Sequence, residues 1–532
     1  MSFDTKIKPN YTQASFATQE EIFLRFPRID LRMSEADRGG GIVVHSDGTI
    51  AYVDDSDNSS LTIGSIGSKK SRDVVMPHIV SAAKVGTSMV IHAPKADILK
   101  MVRIYLMKQG YRVMVLDFRE PERGERYNPF EHAAKLYKSG KKNRAREMFM
   151  HFAMTICEAV KSEKDSFWHV TSARYLAGLA ELLCIIGPAE EVTIDNIYNL
   201  HLQGDAKIGG TTYMKSYFDE YPNERCWKLI YPVVTAPNET RNSLNSVFTS
   251  AIVNFIQNDA IVDQTSHSTF QAEDLLKSKT ALFLISRDEG SVYDAMITAI
   301  VDQLYSILTD IAERQGGTLD RKVSFILDEF GNLAALSDVQ KKLTLSRARG
   351  ITWHFVVQSL EQLSLVYGDK CAQIIIENCN NIIYLYSPDI KLVKHISELC
   401  GEKEGENNPD VRVPLCPVDM LKHLEKGEAL MLIDRMRPFI TRLPDISQYY
   451  GIEQTVNVDV KKRKQQNLRI VDFKSIVEKM NEDKINKIMN RREEEYELCR
   501  KRNVQKAQRS LPPDTEDVIS IINNVIFEMM GG

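Results

Sequence analysis

The stretch RKVSFILDEFGNLA, from Arg321 to Ala334, constrains this 532-residue chain more than any other. A short apolar-leaning run, Ser324 to Leu327, leads straight into Asp328 and Glu329, and a Phe-Gly pair then breaks it. Such a run reads as a strand buried on both faces that delivers two carboxylates at its carboxyl end. In an open α/β sheet that end is where ligands sit. Adjacent acids there suit nucleotide hydrolysis, because one can hold a water on a Mg²⁺ ion while its neighbour orients the attacking water. A strand that stops at a charged turn would look the same in isolation, so the rest of the chain has to decide.

The length exceeds what one core of ordinary size organises, and two or three domains are expected. A net charge of −4 exerts no global pull on nucleic acid, so any DNA contact has to come from local patches. The eight cysteines, at 157, 184, 226, 371, 379, 400, 416 and 499, include no Cys-x-x-Cys pair and read as reduced thiols of a cytosolic protein. The amino-terminal MSFDTKIKPNYTQ has no apolar stretch like that of a signal peptide. No window approaches the ~18–20 uninterrupted apolar residues that cross a bilayer, so a soluble chain is expected, tethered only through another protein.

Residues 1–60 form a polar cap region in which GIVVHSDGTIAYVDD reads as a β-ribbon turning at Ser46-Asp47-Gly48. The first part of a nucleotide-binding domain is expected over 61–132. It opens with a strand at Leu61–Ile63, a glycine-containing loop from Gly64 to Lys70, and a helix from Ser71 onward. Backbone N–H groups and a helix terminus together hold phosphates in that setting. Against G-x-x-x-x-G-K-[ST] the match is Gly64, four residues, Lys69, Lys70 and Ser71, with Lys69 where the second glycine belongs. Lys70 suits the β/γ-phosphates and Ser71 suits Mg²⁺, while Lys69 either crowds the site or adds a cation. Gly67 and Arg72 complete the loop's phosphate-facing set.

Strands at Ser88–His92 and Arg112–Phe118 continue a parallel, doubly wound sheet. From 133 to 256 helical periodicities take over with no convincing strand run, as in AREMFMHFAMTICEAV and FWHVTSARYLAGLAELLCIIG, which implies an inserted all-α domain. Phe167 and Trp168 read as core there. The sheet resumes over 257–450 with strands at Thr280–Ser286, at the Asp-Glu stretch, and at 352–359, 380–386 and 428–435. Gln358 ends one of these strands, placed to sense a γ-phosphate or its attacking water. Arg347 and Arg349, just before that strand, have the type and position of arginine fingers that reach a neighbouring subunit's nucleotide. Beyond 450 the composition turns heavily charged. KKRK at 461–464 opens a solvated helix or flexible tail over 451–532, with contact to DNA or a partner as the functional alternative.

Taken in order, ASFATQEEI, YVDDSDNSSLTIGSIGSKKSR, APKADIL, GYRVMVLDFREPERGERYNPFEH, DSFWHVTSARYLAGL, SFILDEFGNLAAL, LSRARGITWHFVVQSLEQL and ISELCGEKE resemble type IV secretion coupling proteins of the TraG/TraD class. The resemblance runs from about Ala14 to Asp445. It implies a RecA-like P-loop motor domain, α/β with a mostly parallel doubly wound sheet, interrupted by the inserted all-α domain and assembled into a homo-hexameric ring. It implies ATP and Mg²⁺ as cofactors, with Lys70 and Ser71 on phosphate and metal. Asp328 and Glu329 serve Mg²⁺ and water activation, Gln358 the γ-phosphate, and Arg349 or Arg347 the finger in trans. The partners implied are single-stranded DNA with its relaxase as cargo, components of the secretion channel, and a separate membrane-anchor protein holding the chain at the inner face of the cytoplasmic membrane. The family's usual Asp-Pro-Lys-Gly-Glu segment stands here as Ala93-Pro94-Lys95-Ala96-Asp97. With Lys69, these departures favour as alternative a non-hydrolysing member that acts as a substrate-docking receptor. A ring helicase or chromosome-partitioning translocase is a third possibility.

Overall fold

Among the described residues, nine strands join into one sheet. In chain order they are β1 (Ser60–Gly64), β2 (Ser88–His92), β3 (Arg112–Asp117), β4 (Thr280–Ile285), β5 (Val323–Leu327), β6 (Ile351–Val357), β7 (Asn381–Tyr386), β8 (Glu428–Leu432) and β9 (Phe439–Arg442). They lie in the order β9-β8-β7-β1-β6-β5-β2-β4-β3. The seven from β7 to β3 run parallel, and β8 and β9 add antiparallel at one edge. The computed structural model describes residues 13–160, 166–287, 291–405, 408, 410–452, 460–464, 469–509, 520–521 and 523–525. Each strand expected from the sequence is present. Within this sheet only the edge strand β9 went unread, since four residues, FITR, carry too little alternation to register.

Every residue of β1, β2, β4 and β5 is buried, as both-face coverage of a parallel sheet requires. Phe325 of β5 pairs in register with Trp353 of β6 and stacks on it, ring centroids 4.5 Å apart. Phe330, just past the two acids, stacks on Phe355 at 4.1 Å. These contacts fix the carboxyl end of β5 against its neighbour.

The chain divides into two compact units, Met1–His201 with Asn223–Val471, and Leu202–Pro222 with Asp472–Gly532. In the first unit a ribbon of Arg28–Asp30, Val43–Ser46 and Ile50–Val53 forms with its turn at the expected Ser-Asp-Gly. Helix α1 (Met76–Lys84) follows the phosphate loop, and the helical stretch between β3 and β4 includes α2 (Lys142–Glu158), α3 (Ser166–Ile186) and α4 (Asn238–Ile256). After β4 comes α5 (Ser291–Arg314). Among the described residues two helical spans, Ser166–Ile186 and Val292–Arg314, are long and apolar enough to cross a membrane, yet 78% of each window is buried inside the fold. The sequence reading found no such span because polar residues interrupt both. All eight cysteines are unpaired.

The second unit holds a two-stranded hairpin, Lys207–Ile208 with Thr211–Thr212, inside the stretch read as wholly helical. It turns on Gly209 and Gly210, both at positive φ, and two-residue strands are too short to show a period. Its long helix α6 (Phe473–Arg509) is exposed along most of its length, as a charged face demands. Tyr213 donates to Glu478 at 2.5 Å and Lys484 pairs with Glu220 at 2.7 Å.

Two expectations need correction. Phe167 is not core but 54% exposed, edge-on to Trp168. The KKRK run is not merely solvated, because Arg463 turns inward and donates to the carbonyls of Arg123, Gly124 and Glu125 at 2.7, 2.9 and 2.8 Å. It also faces Asp263, which Arg126 holds from the other side at 2.9 Å. Composition marks a basic run as polar and cannot show that one of its members fills a polar hole.

Candidate functional site

Strands β1, β6 and β5 are neighbours, so their carboxyl ends bring three sequence-distant segments together. β1 delivers the loop beginning at Gly64, β6 delivers Gln358, and β5 delivers Asp328 and Glu329. Gln358, Asp328 and Glu329 line one cleft of about 520 Å³ with Gly67, Lys69, Lys70, Ser71 and Arg72, whereas Gly64, at the base of the loop, does not line it. Gly64 is closely enclosed: a Cβ there would meet the Ser68 hydroxyl at 2.5 Å, and that hydroxyl donates to the Ser65 carbonyl at 2.8 Å beside the Ser68 N–H at 3.2 Å. The loop then passes through Gly67 at φ +81° and Lys69 at φ +62°, ψ +24°. Lys69 therefore adopts the left-handed backbone that the glycine of the motif would supply, at a cost of roughly 1–2 kcal/mol for a residue with a Cβ. The helix that follows begins as a π-turn, Lys70–Val75, before α1.

The ammonium of Lys70 folds across the loop and donates to the carbonyls of Gly64 at 2.6 Å and Ser65 at 3.1 Å. Burial pulls its pKa down, against the opposing charges of Asp328 and Glu329. Ser71 Oγ donates to Asp328 Oδ2 at 2.6 Å. Burial pushes the Asp328 carboxyl up, and the Ser71 hydrogen bond works against that rise. Glu329 stands at φ +52° with its Oε2 accepting from Asn332 Nδ2 at 2.9 Å. Backbone strain at the carboxylate beside a candidate metal ligand is a recurrent feature of reactive sites.

The donor set fits Mg²⁺. A hydroxyl and a carboxylate oxygen already within hydrogen-bonding distance are hard ligands, and Mg²⁺ takes one or two such protein oxygens together with phosphates and water. Among the described residues there is no cluster of three or more His, Cys, Asp or Glu to hold a metal by protein alone.

Two residues of this region escaped the sequence reading. Asp445, after β9, accepts from Arg72 Nε at 2.6 Å and Nη2 at 2.5 Å and lies 3.4 Å from Lys69 Nζ. The Arg72 guanidinium holds its carboxyl well below the usual range. Its only sequence signal is a Pro-Asp-x-Ser turn pattern. His92, ending β2, has Nδ1 2.7 Å from the Asp328 carbonyl, so Nδ1 carries the proton, and burial pushes its pKa down to about 4. A polar residue closing an apolar strand could have flagged it.

Arg347 and Arg349 are not brought to this cleft. They precede β6, at the end of the sheet opposite to the loop, and seven residues of strand separate them from Gln358, about 23 Å. Arg349 pairs with Glu313 at 2.9 Å beside a groove of about 370 Å³ between α2, α5 and helix Val339–Ser346, whereas Arg347 is exposed. Ala93 is fully buried and Ala96 caps the next helix, so neither lines the cleft, though Lys95 and Asp97 do.

A glycine loop, two acids and a glutamine at the ends of adjacent parallel strands define a RecA-like P-loop fold. The solved structures of plasmid coupling protein TrwB share it: the complex with the non-hydrolysable ATP analogue ADPNP superposes with a TM-score of 0.59 at 19% identity, covering 86% of this chain and 99% of that one. The sequence matches the family described as Type IV secretory system Conjugative DNA transfer over residues 16–408, and the chain belongs to that family. Protein VirD4 of Rhizobium radiobacter is 25% identical over 211 residues, 40% of this chain and 30% of that protein. Protein VirD4 of Rhizobium rhizogenes is 23% identical over 345 residues, 64% of this chain and 49% of that protein. The matched region thus spans between about a third and a half of these relatives' length.

Proposed function

We propose that this chain is the coupling ATPase of a type IV secretion system. It binds ATP with Mg²⁺ in the cleft and uses hydrolysis to feed single-stranded DNA with its relaxase into the channel. It works as a subunit of a homo-hexameric ring held at the inner face of the cytoplasmic membrane through a separate anchor protein. The observation that carries the reading is the 2.6 Å contact of Ser71 Oγ with Asp328 Oδ2, which joins the phosphate loop to the acid strand across 257 residues of sequence. The coupling-protein family and the nucleotide complexes of TrwB support it.

Lys70 exchanges the neutral carbonyls of Gly64 and Ser65 for charged phosphate oxygens, a stronger pairing. Ser71 and Asp328 would hold Mg²⁺, which would supply neutralisation of the phosphate charge that develops on hydrolysis. Glu329, oriented by Asn332, takes up the proton of the attacking water, and Gln358 donates its amide to the γ-phosphate. Arg347 or Arg349 serves the cleft of the next subunit in the ring, since the same chain's cleft is out of reach. DNA is gripped through its phosphates and is not read base by base, because a motor has to move along any sequence.

The docking-receptor alternative has Lys69 in its favour, since Ala93 and Ala96 lie outside the cleft. ATP hydrolysis by the purified chain, with and without single-stranded DNA, separates the two. DNA-stimulated turnover that vanishes in Lys70→Ala supports the motor. Nucleotide binding with no turnover under any condition supports the receptor.

A further inference from the structure

We infer that Asp445 is a positioning residue for the phosphate loop. Its carboxylate draws the side chains of Lys69 and Arg72 to one side, so that a lysine takes the backbone place of the motif's missing glycine without its ammonium entering the phosphate cradle. This inference rests on the nucleotide-binding reading of the cleft and concerns a residue beyond the family-matched stretch, which ends at 408.

The backbone half of the substitution is met by Lys69 itself, at φ +62° and ψ +24°. The side-chain half needs an anchor, since both cations line the same cleft as Asp328 and Glu329, the anions to which a released ammonium is drawn. Asp445 supplies that anchor with a forked bond to Arg72, at 2.6 and 2.5 Å, and a longer contact of 3.4 Å to Lys69. The Lys69 and Arg72 side chains are 39% and 41% exposed, so little else restrains them.

The anchor is itself fixed. Ser447 donates to Asp445 Oδ1 from its backbone N–H at 3.0 Å and its hydroxyl at 2.8 Å. The segment beyond is held on the amino-terminal ribbon, where Tyr450 N–H donates to the Gly48 carbonyl at 2.9 Å. Gly48 stands at φ +89°, and a Cβ there would meet the Gln448 carbonyl at 2.5 Å. A side chain remote from the cleft in sequence is thus tied through the ribbon's turn to the loop that holds phosphate.

The test is a double-mutant cycle on the full chain with Asp445→Asn and Lys69→Gly. Asparagine keeps the cap to Ser447 and loses the charge. Two readouts are taken: affinity for a fluorescent ATP analogue with Mg²⁺, and amide exchange across 64–71 without nucleotide. With Lys69 present, Asp445→Asn is expected to weaken nucleotide binding about tenfold, the weight of one charge-assisted contact, and to speed exchange in the loop. In the Lys69→Gly background the same substitution should change both by less than about threefold, since a coupled pair loses its effect when one member is gone. Equal losses in both backgrounds, or no loss in either, would overturn the inference, as would a large loss from Lys69→Gly alone, which would make Lys69 a phosphate ligand. A native chain that binds no nucleotide while the exchange coupling persists would strike the nucleotide reading and leave the restraint standing.

Discussion

Replacing Arg463 by alanine tests whether the basic run after 460 is a structural strap or a free DNA-binding tail. The Arg463 guanidinium reaches five acceptors: the carbonyls of Pro121, Arg123, Gly124 and Glu125, and the Asp263 carboxylate at 3.4 Å. At about 1 kcal/mol net for each hydrogen bond the loss would sum to about 5 kcal/mol. Two effects lower it. Burial, and after it the neighbouring Arg126 charge, already pulls the Arg463 pKa down, and because the two arginines share one carboxylate, removing one cation relieves that like-charge contact. Water can also enter the vacated polar space and satisfy some of the carbonyls. We therefore expect about 3 kcal/mol of destabilisation, with Arg463→Lys recovering about 1 because one ammonium keeps the charge but reaches fewer carbonyls. Urea unfolding of the first unit, followed by tryptophan fluorescence at pH 7, measures it. An alanine variant within about 0.5 kcal/mol of native that has lost DNA affinity would refute the reasoning and restore the tail to nucleic acid.

Asp73 gives a prediction with a pH signature. It is 1% exposed, neither carboxylate oxygen has a hydrogen-bond partner, and burial pushes its pKa from 3.8 up to about 6. Because the folded value lies above the unfolded one, the native chain keeps the proton longer, and stability falls as pH rises from about 4 to about 6, with the full penalty above that window. That rise corresponds to about 3 kcal/mol, and Asp73→Asn should recover about 1–2 of it at pH 7.5, since asparagine is also left unpaired, and almost none near pH 4. Thermal melts at both pH values check this, and a variant less stable than native at pH 7.5 would contradict it. Gly64→Ala should cut nucleotide affinity about tenfold or more, because its Cβ displaces the Ser68 hydroxyl from the Ser65 carbonyl, an overpacking cost of about 1–3 kcal/mol. Titration with a fluorescent ATP analogue reads it, and unchanged affinity would show that the loop reshapes freely.

The sheet was legible because its strands are buried on both faces, and uninterrupted apolar runs such as TALFLIS and SFIL survive in any context. The meeting of Ser71 with Asp328 was also legible, since strand ends in a parallel sheet share one edge and the motif residues sit at those ends. What stayed hidden has no local pattern. Asp445 meets its partners Arg72 and Lys69 across 373 and 376 residues of sequence, and nothing in RLPDIS announces two cations waiting beside it. Arg463 looks like its neighbours Lys461, Lys462 and Lys464, yet its burial depends on four carbonyls exposed by the turn at 121–125. Lys69 was left between crowding the site and adding a cation because a sequence pattern records residue type and not the left-handed backbone that this residue adopts. The exposure of Phe167 was misread because an aromatic at helical spacing gives no sign of which face it occupies when the helix is apolar nearly all round.

The measurement closest to the central claim compares the native chain with Glu329→Gln, assayed for ATP affinity and for steady-state hydrolysis with single-stranded DNA present. Glutamine keeps the shape and the contact with Asn332 but cannot take a proton. If the cleft is a working motor site, Glu329→Gln binds ATP with Mg²⁺ as tightly as the native chain and loses at least about a hundredfold in turnover, the usual range for a positioned general base. Hydrolysis that survives the substitution, or a native chain that binds ATP and never turns it over, would contradict the account.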